Sequence, residues 1–550
     1  MITGLLRMLQ ARAAPADLQR PRTRAQRPTG RRVGRLPAGR LAVRGAVLLA
    51  AWMVARIAAW IAALSAARMA VRMAVRMAAR MAVLLAALMA VAGCATPGEQ
   101  PLPAATITPI AAGLDADAAT DADFPDTAWW RALGDPALDA LIDRGLAGQP
   151  GLQAAAARLA AVAADTQALS ASHFPQFGLL AEPTRERFSE NGLFPPAVAG
   201  ATRNLATLRV NGQWELDFFG RHAAALQAAL GQQRAAAAEL QAARVLLTTR
   251  LARGWVDLAR LLALQAVAER TLAQREDQLA LTRRRVAAGL DTALELRLAQ
   301  GPVPDTRQQI EQLDGQIVLA RHALAVLSGQ APQARAAARP TLAPLQWAVL
   351  PDRLGADLLG RRADVVAARW RVEAAQAQVT GAQADFYPDI NLIGQVGLNA
   401  LGLDRLLLAG SRQVSAGLAL RLPLFDGAYL RARLGARSAE ADAAVAAYNA
   451  AVLDAAREVA DAGALLRSLQ RQQGLQAEAA DAAEGAWRLA TQRHEAGLSS
   501  YLSVLAAESA VLVQRSGAAE LKARTLDTQL ALVRALGGGW RDEPPAKAAR

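Results

Sequence analysis

The sequence has 550 residues, enough for more than one ordinary domain, and a formal net charge of +14 at pH 7. Residues 1–93 contain 16 Arg and one acid, Asp17, for a net charge of +15, so the rest of the chain carries 14 − 15 = −1. A nearly neutral body argues against nucleic acid as a partner recognised by charge. The single cysteine excludes an intrachain disulfide, and the four histidines are not spaced as metal ligands. With no recognisable catalytic constellation either, the sequence predicts neither an enzyme nor a metal site.

Residues 69–93 have the pattern of a secretory signal peptide, with repeated arginines before a short apolar run. The run ends in Val-Ala-Gly before Cys94, which resembles a bacterial lipobox. In that motif diacylglycerol is attached to the cysteine sulfur, and an acyl chain is attached to the new N-terminus. We therefore expect this lipid on Cys94, and the outer membrane as the destination because Ala95 is not Asp. The alternative is an inert buried cysteine at the end of a core helix.

The Arg- and Pro-rich region 1–68 is interpreted as a mis-annotated start or an extended leader. Under the first interpretation, translation begins at Met69, Met73 or Met77. A transmembrane segment within 46–66, interrupted by Arg56, is the alternative.

The rest of the chain contains an internal duplication. At a shift of 213 residues, three matches follow in order without a gap: Leu152 with Val365, Arg158 with Arg371, and Phe174 with Tyr387. A second set, around Gly289 and Gly497, matches at a shift of 208. The common order of the matches predicts two copies of one unit, at 135–330 and 350–537. A lipid-anchored tether over 94–134 precedes them and a tail over 538–550 follows.

Each copy is predicted to contain an Ala-rich helical stretch, two strands and a long helical hairpin. The helical stretches cover about 137–172 and 351–384. Period-two alternation of apolar and polar residues, with about ten residues per strand, is typical of tilted membrane-spanning strands. A half-buried sheet of a soluble domain is the alternative. The strands are predicted at 177–188, 203–217, 389–400 and 412–425.

Two runs without proline, 221–288 and 428–495, are both 68 residues long. An unbroken helix of that length extends about 100 Å, which indicates a helical tube or coiled coil. Gly289 and Gly497 are predicted to reverse the chain, because glycine tolerates positive φ. Returning helices then run to about 327 and 536, the first interrupted near Pro302 and Pro304.

Four strands per chain cannot close a barrel, since membrane barrels need at least eight strands, and open sheet edges are not tolerated in lipid. Three copies supply twelve strands and a matching tube of helices. The predicted fold class is therefore a membrane α+β protein with internal tandem duplication. It is a trimeric outer-membrane β-barrel of twelve strands continued by a long periplasmic α-helical barrel.

Four motifs carry a family resemblance: Trp-Trp-Arg-Ala-Leu-Gly-Asp-Pro at 129–136, Trp-Glu-Leu-Asp-Phe-Phe-Gly at 214–220, Leu-Gly-Arg-Arg-Ala-Asp at 359–364, and Leu-Pro-Leu-Phe-Asp-Gly at 422–427. The sequence resembles the TolC-type outer-membrane efflux family, in its OprM/NodT-like lipoprotein branch, over essentially all of 94–537. The resemblance implies a homotrimer that docks to a periplasmic adaptor (membrane fusion) protein. It also implies an inner-membrane pump of the RND or major-facilitator class. The cargo it implies is antibiotics, dyes, solvents or organic acids such as fusaric acid.

The family also implies a periplasmic tip that contacts the adaptor and closes the pore with acidic residues just past each turn. Here Glu295 supplies the acid in the first copy, but Ser503 stands at the second position. The usual Arg-Pro-Asp of the second copy is Arg362-Ala363-Asp364. An ordinary interhelical turn with solvated charges is the alternative to a functional tip. The candidate tip residues are Arg285, Gly289, Leu290, Asp291, Glu295, Arg493, His494, Gly497, Leu498 and Ser499.

Two other functions are also consistent with the sequence. The same channel could serve type I protein secretion. Alternatively, the chain could be a lipid-anchored periplasmic coiled-coil scaffold without a pore, which would leave the alternating strands unexplained.

Overall fold

The computed structural model of the protein describes residues 75–76, 80, 96–97, 103–108, 110–112, 125–333, 339–342 and 358–542. The chain divides into two compact units, Met1–Met89 and Ala90–Arg550. Three residues of the first unit are described, so the following account concerns the second unit. The predicted lipidation site, Cys94, and the region 1–68 lie outside the described residues.

The described helices and strands follow the order expected for two copies of one unit. The first copy has α1 (Pro136–Gly148), α2 (Pro150–Ser172), β1 (Gln176–Arg187), β2 (Thr202–Glu215), α3 (Arg221–Ala287), α4 (Ala293–Gln300) and α5 (Pro302–Leu327). The second copy has α6 (Leu358–Arg361), α7 (Ala363–Ala384), β3 (Asp389–Leu401), β4 (Arg412–Arg421), α8 (Gly427–Glu495) and α9 (Tyr501–Ala535).

The long helices α3 and α8 have 67 and 69 residues, so each extends about 100 Å. Helix α3 packs against α2, α5, α7 and α9, whereas α8 packs mainly against α9 and α7. Helix α3 is therefore the element that joins the two copies.

Two predicted helical stretches are interrupted in the structure. The stretch over 137–172 is wrong as a single helix: it divides at Gln149, which has extended dihedral angles (φ −72°, ψ 120°). The cause is Pro150, since a proline disfavours helical angles in the residue before it. In the stretch over 351–384, the described part divides at Arg362, also extended, between α6 and α7.

The first return helix is also divided, at Gly301, between α4 and α5. Gly301 keeps helical angles (φ −59°, ψ −48°), but Pro302 and Pro304 have no N–H to continue the hydrogen-bond ladder. The Arg275 side chain holds the start of α5 against α3, because its Nη1 donates to the Pro302 carbonyl at 2.9 Å and to the buried Thr306 hydroxyl. The break is thus stabilised by a specific side chain.

The four strands form one antiparallel sheet with the order β1-β2-β3-β4. The strand predicted over 412–425 is too long, because β4 ends at Arg421. Arg421 pairs with Asp389, the first residue of β3, so no partner remains beyond it. Pro423, two residues further on, lacks the N–H that another ladder bond would need.

The Trp-Trp motif forms part of the helical core. Trp129, Trp130 and Leu133 are buried in the cluster built by α1, α3, α5 and α9. Asp135 caps α1 by accepting from the Ala137 N–H at 2.9 Å, and its other oxygen accepts from Trp255 Nε1 at 2.8 Å. The motif therefore attaches the start of α1 to α3 through these hydrogen bonds and this packing.

Arg362 performs a similar role in the second copy. Its buried guanidinium donates to Asp364 at 2.6 and 3.0 Å, to Glu458 of α8 at 2.8 Å, and to the Ala535 carbonyl at 3.2 Å. Burial alone would lower the pKa of Arg362, but the hydrogen bonds to Asp364 and Glu458 outweigh it and raise the pKa. Helix α7 begins at Ala363 without the family's proline, because Arg362 ties its start to α8 and α9.

Candidate channel wall and helical tip

The sheet has one apolar and one polar face, as the period-two pattern predicts. The strand register aligns Leu179, Val210, Val396 and Val414 in a row across all four strands. These side chains are 72%, 38%, 56% and 75% exposed in the single chain. An apolar row this exposed needs an apolar environment outside the chain.

The opposite face carries amides, hydroxyls and a cation. Arg209 Nη1 donates to Gln395 Oε1 at 3.3 Å, and Asn399 Nδ2 lies 3.5 Å from the Thr207 hydroxyl. Arg209 lies against Gly397, where an added Cβ would come within 2.5 Å of the Arg209 backbone and side chain. This face is suited to water.

At the other end of the long helices, both candidate turns use one backbone geometry. Gly289 and Gly497 have φ of 71° and 73°. In the first turn the Leu290 N–H donates to the Arg285 carbonyl at 2.9 Å, and in the second the Leu498 N–H donates to the Arg493 carbonyl at 2.7 Å. These are Schellman ends, in which left-handed glycine lets the last helical carbonyls find donors.

The acids of the first turn are held by neighbouring side chains. Arg285 donates to both oxygens of Asp291, at 2.8 and 3.0 Å. This hydrogen-bonded pair lowers the pKa of Asp291 and raises that of Arg285. Glu295 forms a capping box with Thr292, accepting from its backbone N–H at 2.9 Å and from its hydroxyl, and these bonds lower the pKa of Glu295.

The second turn uses other chemistry at the same positions. His494 Nδ1 lies 3.1 Å from the Ser499 carbonyl, and its ring lies 5.4 Å from that of Tyr501. Ser503 lies 3.5 Å, hydroxyl to hydroxyl, from Ser500. The structure thus brings the candidate residues together in two separate groups, one at each turn. The gating and adaptor roles assigned to them stay predictions.

A ladder of ion pairs between α3 and α9 was missed by the sequence analysis. Arginines of α3 meet acids of α9 at three levels: Arg253 with Asp527 at 2.6 Å, Arg260 with Glu520 at 2.8 Å, and Arg270 with Glu508 at 2.6 Å. The ladder fastens the first copy to the second. The seven-residue spacing of its first two arginines, repeated in reverse by the first two acids, is the sequence pattern that could have indicated it.

Within the part of the chain that is described, no helix is both long enough and apolar enough to cross a membrane. The same residues contain no group of three or more His, Cys, Asp or Glu side chains placed to hold a metal ion.

Comparison with known proteins decides the family. The family model for outer membrane efflux proteins matches residues 141–330 and 354–538, one segment in each copy. The chain belongs to the outer membrane efflux protein family. Multidrug resistance outer membrane protein MdtP of Shigella flexneri is 31% identical over 463 residues, 82% of this chain and 95% of MdtP. Fusaric acid resistance protein FusA of Burkholderia cepacia is 37% identical over 361 residues, 64% of this chain and 67% of FusA.

A solved structure supports the same assignment. The crystal structure of the outer membrane protein VceC from Vibrio cholerae matches with a TM-score of 0.70 and 35% identity, over 76% of this chain and all of VceC. The predicted family, fold class, outer-membrane location and efflux function are therefore confirmed. This outer membrane efflux protein is a channel component that extends into the periplasm. The apolar row of its sheet is accordingly suited to contact with lipid, and the polar face to a water-filled conduit.

Proposed function

We propose that three copies of this chain form one passive channel that exports toxic organic compounds. The channel receives them from an inner-membrane pump of the RND or major-facilitator class through a periplasmic adaptor. The observation that supports this proposal most directly is the four-stranded sheet with an exposed apolar face. Within the described chain, β1 and β4 each have one edge without a partner strand. Three copies satisfy these edges by pairing β4 of one subunit with β1 of the next, giving twelve strands.

The helical tip supports docking to an adaptor. Leu290 and Leu498 stand at the two turns, 67% and 71% exposed, next to the charged side chains of Arg285, Asp291 and Arg493. A small apolar contact surrounded by charges is suited to a protein partner that binds and releases. The energy for transport comes from the pump, so this subunit performs no catalysis.

The names of the relatives support the choice of cargo. MdtP is named for multidrug resistance and FusA for fusaric acid resistance. A strain without this chain should become sensitive to some members of a panel of dyes, antibiotics and organic acids. Full resistance together with loss of an exported protein would favour type I secretion.

Covalent lipid on Cys94, as diacylglycerol and an N-acyl chain, is the second part of the proposal. Each buried methylene stabilises membrane attachment by about 0.8 kcal/mol, so several chains anchor stably. The mass of the mature N-terminus should correspond to a chain that begins at acylated Cys94. An unmodified chain beginning earlier would contradict the anchor and leave the channel intact.

Two adjacent residues of β4 test the channel itself. Val414 lies on the apolar face and Ser415 on the polar face, and both are exposed in the single chain. Val414→Arg should impair insertion into the outer membrane, because a cation on the lipid face costs about 2–4 kcal/mol at mid-bilayer. Ser415→Arg should insert normally and change the conductance of the purified trimer in planar bilayers. A protein that never conducts, or never forms trimers, would favour the non-porous scaffold.

A further inference from the structure

A short N-terminal segment, 103–108, is bound along the outside of α8. The Ala104 N–H donates to Asp442 Oδ1 at 2.9 Å, and the Ile107 N–H donates to Asn449 Oδ1 at 2.8 Å. Asn449 also donates from Nδ2 to the Ala105 carbonyl at 3.0 Å. Its side-chain amide thus pairs with this backbone as a neighbouring strand would.

Apolar contacts complete the attachment. Ile107 packs against the buried cluster of Val365, Val452 and Ala455, which joins α7 to α8. The segment is therefore attached to α8 by its backbone and by the Ile107 side chain.

The direction of the segment follows from its two polar contacts. Asp442 and Asn449 are seven residues apart on α8, about 10 Å along the axis. The three residues from Ala104 to Ile107 also cover about 10 Å when extended. The segment is thus extended and runs parallel to α8, so towards the N-terminus it approaches Gly427, the end of α8 that adjoins the sheet.

The chain length before the segment matches the distance to the membrane. Asp442 lies 442 − 427 = 15 residues along α8, about 22 Å from the end next to the sheet. Cys94 lies 104 − 94 = 10 residues before Ala104, a reach of at most about 33–36 Å. A remainder of roughly 11–14 Å is the most by which a lipid-bearing Cys94 could extend past the end of α8, which is enough to reach the near leaflet but not to cross an apolar band about 25 Å tall.

We propose that Asp442 and Asn449 form a tether clamp that fixes the length of chain between the lipid on Cys94 and the helical tube. The clamp directs the lipid into the leaflet nearest the helices and limits how far the sheet can move out of the membrane. This inference rests on the lipid anchor proposed above. Its partner is a lipid surface, reached by a chain of fixed length.

Shortening this chain tests the clamp. Deletion of 97–102 leaves three residues between Cys94 and Ala104, that is four Cα–Cα steps with a reach of about 14 Å, which is less than the distance of about 22 Å. In acylated protein embedded in lipid vesicles, the clamp should open, and hydrogen exchange at the Ala104 and Ile107 amides should become at least about tenfold faster. Insertion of six Gly-Ser residues at the same place should leave exchange unchanged.

The same deletion in protein without lipid is the decisive control. A Cys94→Ala variant, secreted with a signal peptide that is cleaved without lipidation, should keep both amides protected after the deletion, because nothing pulls on the tether. Unchanged protection in the acylated deletion variant would overturn the clamp, as would equal loss with and without lipid. An unmodified Cys94 in the natural protein would instead refute the anchor, and the clamp would then lose its function.

A point substitution separates the clamp from general stability. Asn449→Ala removes two hydrogen bonds, so exchange at Ile107 should rise about tenfold while the rest of α8 stays protected. The matched control on α8 is Asp454→Ala, an exposed partner of Arg457, which should leave the tether unchanged. If the two substitutions have the same effect on Ile107, Asn449 does not hold the tether.

Discussion

The two helical turns at the tip share a backbone but differ in side chains. Both end a helix of nearly 70 residues with a left-handed glycine and the same pair of backbone hydrogen bonds. At the shift of 208 residues, Asp291, Thr292 and Glu295 of the first turn correspond to Ser499, Ser500 and Ser503 of the second. The duplicated unit has therefore kept the geometry of the reversal and changed the chemistry presented there.

The return helices show the same contrast. The first is divided at Gly301 and supported by Arg275, whereas α9 continues unbroken from Tyr501 to Ala535. The residue of the second copy that corresponds to Arg275 is Ala483, since 275 + 208 = 483. The return helix of the first hairpin thus has a break near the tip, whereas the return helix of the second hairpin is continuous.

The largest effect on stability is expected at this break in the first return helix. Arg275→Ala removes two hydrogen bonds from a charged donor, after which the buried Thr306 hydroxyl and the Pro302 carbonyl keep their bond to each other, a loss of about 2–3 kcal/mol. Hydrogen exchange in the first turn of α5 measures it. Arg307→Ala is the control: its ion pair with Glu276 is 63% and 46% exposed, so the change should stay below about 0.5 kcal/mol. Equal effects would show that Arg275 does not support the break.

A smaller and equal effect is expected at the two turn glycines. Gly289→Ala and Gly497→Ala force a side chain into left-handed backbone at a cost of about 1–2 kcal/mol each. Among the described atoms, nothing lies within 4 Å of either added Cβ, so no clash contributes. Gly301→Ala, at φ −59°, should be neutral or stabilising by up to about 1 kcal/mol. Chemical unfolding followed at the tip measures all three, and a large difference between Gly289 and Gly497 would contradict a common geometry.

Much of this architecture was predictable from local sequence patterns. Period-two alternation located the strands, proline-free runs located α3 and α8, and Gly289 and Gly497 located the reversals, because each pattern acts on its immediate neighbours. The division at Gln149 was missed although Pro150 is visible in the sequence, since the Ala-rich composition on both sides favours helix. The effect of a proline on the preceding residue outweighed that preference.

Long-range partners could not be predicted in the same way. Arg253 gives no indication that its partner is Asp527, 274 residues away, and nothing near Asn449 indicates that it binds the backbone at Ile107. Such pairs depend on which helices pack together and in what register. The tip acids show the same limit, because sequence placed Glu295 near the mouth but not in a capping box with Thr292.

The capping box allows a sharper comparison of the turns. Thr292→Ala should destabilise the start of α4 by about 1 kcal/mol, because it removes the cap. Ser500→Ala should have almost no effect, since among the described residues the Ser500 side chain forms no cap on α9. Ser503→Glu should stabilise the second turn by about 0.5–1 kcal/mol, by supplying the missing carboxylate. Exchange at the first amides of α4 and α9 measures these changes, and a loss in Ser500→Ala as large as in Thr292→Ala would contradict the asymmetry.

The smallest effect is a pH dependence confined to the first turn. The pKa of Asp291 is lowered by its hydrogen bonds from Arg285, so the folded turn favours the ionised carboxylate. A group with a lowered folded pKa stabilises above its ordinary pKa of about 3.9, and that stabilisation disappears as pH falls through the folded pKa. Hydrogen exchange of the first-turn amides, corrected for intrinsic exchange rates, should therefore become faster as the pH is lowered from about 5 to about 2. Asp291→Asn should reduce this response, and the part that remains should belong to Glu295, whose pKa is also lowered, by its hydrogen bonds from Thr292.

The second turn is the internal reference for that measurement, because Ser499 stands where the first turn has Asp291. If both turns opened together on acidification, a general loss of helix stability would explain the result better than the Arg285–Asp291 pair. A response confined to the first turn would instead show that the two copies, identical in backbone at the reversal, differ in how firmly each turn is held. Since both turns lie at one tip, the first hairpin would then be the one that acid loosens first.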